Sequence, residues 1–141
     1  MYDVLLIVHF IGLALGLGTS FAMFTLGIVS ADMPPAERAA FMRRAMLLGR
    51  NGSIGLLLLI LSGVWLVFAQ GMEAINAIAG GLFHLKLTLV VLLMGTFGYM
   101  QVLIRKAKAS DPAAIARMPL VGRLMLGLSL AIVVVAVFAF H

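Results

Sequence analysis

His9 and His84 each lie a short way inside a strongly apolar stretch, and Lys86 follows two residues after the second. A titratable side chain inside a membrane span is costly. It usually faces a bundle interior or a cavity, and it marks a functional site by default. Neutral imidazole is the commonest metal ligand among side chains. Two imidazoles at matching depth therefore point to a haem or a metal site. The third histidine, His141, is the last residue of the sequence.

The setting must be a bilayer. The 141 residues are 64% hydrophobic and only 11% charged, with a mean hydropathy of +1.20. An ordinary water-soluble domain has about a quarter of its residues charged. This chain has too few to cover a surface facing water, and its length suits a single integral membrane domain, 1–141. It has no cysteine, which excludes disulfides, iron–sulfur clusters and thiolate zinc sites. The first apolar run has no basic segment before it and exceeds the core of a signal peptide, so it reads as a retained span.

A span needs about 20 mostly apolar residues. Four stretches meet or approach this, at about 4–29, 53–69, 81–104 and 120–140. Lipid offers the backbone no hydrogen-bond partner, and no barrel-like alternation is present, so each must be a helix. The expected fold is an all-α, four-helix transmembrane bundle. Pro34-Pro35 followed by Glu37, Arg38, Arg43 and Arg44 predicts an amphipathic helical extension before the second span. Gln70 to Gly80 reads as a short connection, and Asp111-Pro112 as a helix restart. Arg50 and Asn51 are expected to anchor and cap the start of span two.

All of the ten Lys and Arg except Lys86 fall in or directly beside the first and third connections. Basic residues mark the cytoplasmic side. Both termini are therefore expected on the outer side, periplasmic in a bacterium, in a multi-pass protein of the inner membrane. The net charge of +5 is then a topology signal, and nucleic acid is not an expected partner. Lys86 breaks the rule. Its bland reading is a lysine reaching the outer interface beside Asp3 or Glu73.

Spans one and three should run parallel, which places His9 roughly 9 Å and His84 roughly 6 Å below the outer surface. Bundles hold cofactors by such facing side chains. His9 shares a helical stripe with Gly12, Gly16 and Met23, and His84 shares one with Thr88, Val91, Gly95 and Gly98. Gly12 and Gly16 form a small-residue motif with two readings: tight helix contact, or a slot for a flat ring. Lys86 points about 200° away from His84, with Val90, Leu93 and Phe97. For each histidine the bland reading is an interfacial side chain bonded to a backbone carbonyl or water. A bare zinc or copper ion wants three or four ligands. Haem iron needs one or two, so haem suits His9 and His84 better as metal ligands. A copper site drawing on Met23 or Met94 is the alternative, and the other methionines read as core filler. No catalytic serine set, zinc-protease motif or phosphate loop occurs, and no carboxylate lies inside a span, which disfavours proton pumps and ion-coupled transporters.

His9-Phe10-Ile11-Gly12 and Gly81-Leu82-Phe83-His84-Leu85-Lys86-Leu87-Thr88 resemble the HemJ-type protoporphyrinogen IX oxidase family of small four-helix bacterial membrane proteins. Arg43-Arg44, Gly63-Val64-Trp65-Leu66, the basic third connection and Met118-Pro119 extend the resemblance over most of the chain. It implies a haem b, a porphyrinogen substrate and electrons passed to a quinone or another respiratory-chain partner. By the resemblance, His9 is a haem ligand. Lys86 is an essential residue, either the opposite ligand or a group that engages substrate, and His84 matches a family histidine. The chain also departs from the family. An Arg-Leu-Phe-Val-Tyr-His run late in span one is replaced by Phe24-Thr25-Leu26-Gly27 and its neighbours, and Tyr-His in span three by Thr96-Phe97. It therefore reads as a diverged member. The alternative functions are a haem-binding accessory subunit of a larger respiratory or photosynthetic complex, and a purely structural subunit. Exposed small-residue stripes would suit a homo-oligomer or such a complex.

Overall fold

The computed structural model describes residues 1–140, with Phe140 described through its backbone only; His141 lies outside the described residues. The protein is all-α. Its helices are α1 (Tyr2–Val29), α2 (Pro35–Ala45), α3 (Leu48–Gln70), α4 (Met72–Lys108) and α5 (Pro112–Phe140). Four stretches are long and apolar enough to cross a membrane: α1, α2 with α3, α4, and α5. Large apolar side chains point outward along them, among them Phe68 at 83% exposure and Phe138 at 71%. In water such a surface would aggregate; in lipid it is the matching surface. The chain divides into two compact units, one spanning Met1–Ala74 and the other beginning at Ile75.

In the first unit α1 and α3 pack as an antiparallel pair. Tyr2 lies beside Gln70, whose Nε2 donates to the Tyr2 hydroxyl at 2.7 Å. His9 meets Ser62, Gly12 meets Gly55 and Leu59, and Thr19 meets Gly52. Each step forward on α1 is matched by a step back on α3. The tightest point is glycine on glycine. A Cβ on Gly55 would lie 2.6 Å from the Gly16 nitrogen and 2.8 Å from the Gly12 oxygen. Lipid tails are as apolar as the side chains, so helices associate in membranes through close packing rather than through hydrophobic exclusion. Small residues allow that approach.

The amphipathic extension is α2. Pro35 sits in its first turn, Phe41, Met42 and Ala45 turn inward, and Glu37, Arg38, Arg43 and Arg44 are exposed. Ser30, fully buried at the end of α1, donates toward the Gly27 carbonyl and the Met42 sulfur, and so ties α2 to α1.

Two boundaries differ from the sequence expectation, and the helix restart at Asp111-Pro112 is found where expected. The second span starts at Leu48, and no side chain caps it, so Arg50 and Asn51 lie within the helix. The segment expected as the 70–80 connection is helical from Met72, with Ile75 and Ala79 buried one turn apart. Gly71 at φ +81 ends α3, and Gly80 at φ +50 bends α4. Only glycine takes up such backbone without strain. The last helix begins at Pro112 and runs through Pro119. Asp111 is its restart signal: its carboxylate accepts from the backbone nitrogens of Ala113 at 3.0 Å and Ala114 at 3.4 Å. In the second unit Leu103 of α4 packs with Ala114 and Val121 of α5, flanked by Met100, Met118 and Met125.

Gly55→Ala should destabilise the protein by about 1–3 kcal/mol, because backbone atoms cannot yield to the added methyl. Gly27→Ala, where a Cβ meets nothing within 4 Å, should leave stability unchanged or slightly raised. Unfolding titrations of both variants in mixed micelles measure the difference.

Candidate functional site

His9 lies in the first third of α1, half-buried against α3. Its Nδ1 is 2.9 Å from the hydroxyl of Ser62, which is itself only 3% exposed. Most hydroxyls in these helices return to their own backbone. Ser20, Ser53 and Ser129 donate to the carbonyls of Gly16, Gly49 and Met125, four residues back. Ser62 does the same toward Leu58. A serine has one hydrogen to give. With that hydrogen committed to Leu58, the Ser62 oxygen accepts, and the His9 Nδ1–H donates. In neutral imidazole the lone pair then sits on Nε2. Metal-bound histidines share this arrangement, in which one ring nitrogen is anchored by a hydrogen bond and the other coordinates.

Gly63 supports the same ring. A Cβ there would lie 3.4 Å from His9 Cε1, so the absent side chain leaves the edge of the imidazole room against α3. Gly12 and Gly16 play a different part. The space at Gly12 is taken by the α3 backbone, where a Cβ would meet Gly55 O and Leu59 N, each at 2.9 Å. At Gly16 a Cβ would meet Leu59 at 3.9 Å. Both glycines face α3, and at this level the contact is helix against helix.

His84 and Lys86 belong to α4 in the second unit. His84 stands one turn after the bend at Gly80, and its Nδ1 donates to the Gly80 carbonyl at 3.4 Å. A carbonyl can only accept, so here too Nδ1 carries the hydrogen. The ring meets its neighbour Phe83 edge-on, with centroids 6.0 Å apart. Thr88 closes the next turn by donating to the His84 carbonyl at 2.9 Å. His84, Thr88, Val91 and Gly95 form an exposed stripe, whereas Lys86 is half-buried in line with Val90, Leu93 and Phe97. The two side chains leave the helix about 200° apart.

Among the described residues no three His, Cys, Asp or Glu side chains gather as a metal-binding group. The donor chemistry on offer is that of single imidazoles and an amine, which suits an axial ligand to haem iron more than a caged ion. Ser62 and Gly63 are the site residues that sequence reasoning missed. The signal was present: Ser62 is a polar residue in the apolar interior of span two, at the antiparallel position opposite His9.

Fold and site together define a multi-pass, all-α membrane protein with a positioned imidazole in its first span. No family profile, no curated protein and no solved structure matches the chain.

The hydrogen bond to Ser62 gives a measurable tautomer. In haem-free protein, ¹⁵N NMR should show His9 protonated at Nδ1. Ser62→Ala should populate the other tautomer and reduce stability by about 1 kcal/mol. An unchanged ring spectrum in that variant would show that the ring is set by something other than Ser62.

Proposed function

We propose that the chain is a haem b-binding redox protein of the bacterial inner membrane, of the HemJ protoporphyrinogen oxidase type, with both termini on the outer side. The observation that carries this reading is His9, held inside a membrane-spanning helix by its hydrogen bond to Ser62. The two basic connections support the orientation. The motifs around His9 and around His84 and Lys86 support the family reading.

A bound haem b supplies one-electron redox chemistry at its iron. The chain supplies the rest. His9 would hold the iron, with its Nδ1 anchored on Ser62. By the resemblance, His84 or Lys86 would be a further ligand, and the other would engage an anionic substrate edge or stay at the interface. The apolar helices keep bulk water away. Porphyrinogen oxidation, with electrons delivered to a quinone, is the activity that the resemblance supports. The replaced late span-one residues and Thr96-Phe97 favour a second reading, a haem-binding accessory subunit without the oxidase step.

Protein purified in detergent from haem-replete cells should show a Soret band and a sharp reduced α-band. His9→Ala should abolish or shift both, and only one of His84→Ala and Lys86→Ala should do the same. A colourless protein, or the parent spectrum in all three variants, would overturn the assignment. Rescue of a strain lacking its protoporphyrinogen oxidase selects the enzyme; a haem spectrum without rescue selects the accessory subunit.

A further inference from the structure

The second unit carries a feature that the haem reading does not use. Toward the basic ends of α4 and α5, two cavities adjoin and share Tyr99 and Arg117. One, of about 140 Å³, has Lys106, Asp111 and Arg117 on a wall that also includes Val102, Leu103 and Ala114. The other, of about 500 Å³, is a groove floored by Gly95 and walled by Thr96, Leu120, Val121 and Leu124.

The groove is apolar in its chemistry as well as in its residue names. The Thr96 hydroxyl donates back to the carbonyls of Leu92 at 3.1 Å and Leu93 at 2.9 Å, so its methyl remains for the groove. Leu120 and Leu124 are 61% and 52% exposed, so the groove opens on the lipid side of the helices. No side chain fills the space over Gly95, where a Cβ meets nothing within 4 Å. Water gains nothing in such a channel, because it needs two or more polar partners.

The smaller cavity carries the charged groups. The Arg117 Nη1 donates to the Tyr99 hydroxyl at 3.4 Å, which uses one of the five donors of a guanidinium. Lys106 adds a second cation on the wall. The single carboxylate, Asp111, directs its oxygen to the backbone nitrogens of Ala113 and Ala114 at the start of α5. Arg117 and Lys106 outnumber the one carboxylate, which also acts on Arg117, so the lining keeps a net positive charge. Arginine pairs readily with phosphate oxygens in this way.

We propose that this paired cavity binds one anionic phospholipid, with its phosphate between Arg117, Lys106 and Tyr99 and an acyl chain along the Gly95–Leu124 groove. An anion suits the side with Lys106 and Arg117, and a hydrocarbon suits the groove. A molecule with an anionic head and an apolar tail fits both. Basic pockets between membrane helices recognise lipid headgroups by this chemistry. The site does not depend on haem being bound.

The test uses the full chain in phosphatidylcholine nanodiscs doped with phosphatidylglycerol, followed by extraction into mild detergent and native mass spectrometry. One phosphatidylglycerol should stay with each chain in preference to phosphatidylcholine. Arg117→Gln should weaken retention at least about tenfold, the effect of losing a charged hydrogen bond. Gly95→Leu should displace the lipid by filling the groove. Arg38→Gln, a change of equal charge on α2, should leave retention unchanged. Lys106→Gln, at an exposed position, gives the same reading should Arg117→Gln fail to fold. Equal retention by the parent, Gly95→Leu and the charge variants would overturn the proposal. So would an equal loss with Arg38→Gln, which would mean diffuse attraction. Competition by millimolar inorganic phosphate that removes the lipid completely would also overturn it, by showing a free-anion site.

Discussion

The contact between Gly12 and Gly55 governs the first unit. At that point the α1 and α3 backbones touch, and a single added methyl would overlap a main-chain atom at 2.6–2.9 Å. In lipid this closeness is itself the source of attraction, because many weak dispersion contacts replace hydrophobic exclusion. It also fixes register. A slip of one residue along α3 would turn its facing side chain by about 100° and take Ser62 away from His9. The imidazole thus inherits its position from glycines one turn deeper in the pair. Gly12 and Gly16 serve the site indirectly, by bringing α3 close enough for Ser62 to reach the ring.

Chain breaks are placed under the same constraint. Lipid does not satisfy backbone groups, so interruptions must carry their own solutions. Gly71 and Gly80 take the positive φ that ends one helix and bends the next. Asp111 supplies the acceptor that the first nitrogens of α5 need. At Gly80 the bend has chemical use, since its carbonyl is where His84 anchors Nδ1. Both histidines thus reach the same state by different partners, one through a serine on another helix and one through the backbone of its own.

Much of the architecture was legible in the sequence because hydrophobicity along a chain this apolar leaves few options. The four spans, the start of α2 at Pro35 and the restart at Asp111-Pro112 all follow from local chemistry. What escaped were features that depend on partners. Met72–Ala79 reads as a loop because Glu73 and Asn76 interrupt the apolar run, yet Ile75 and Ala79 lie one turn apart and are buried. Pro119 reads as a boundary, but a membrane helix can absorb a proline when its surroundings re-satisfy the freed carbonyl. At Gly12 a single helix cannot distinguish a ring slot from a helix contact. The answer is the complementary glycine, Gly55, on the partner. Ser62 escaped for the same reason: its role exists only once the antiparallel register is known.

The two ends of α4 carry different chemistry, and the charge distribution explains why. From His84 to Tyr99 the helix rises about 22 Å, too far for any side chain to bridge. Near the first end the polar groups are few, with Glu73 in the first turn and then His84 and Lys86. Toward the second end five cations, Arg105, Lys106, Lys108, Arg117 and Arg123, share one acid, Asp111. That asymmetry orients a chain during insertion, but it persists in the folded protein as unbalanced charge at the membrane edge. Asp111, whose carboxylate also caps the start of α5, balances one of the five charges. The rest of the counter-charge can come from outside the chain, and phospholipid headgroups at a membrane edge carry it. Residues that set topology and residues that would hold a lipid are then one set, and the cavity beside Arg117 is where that charge acquires a shape.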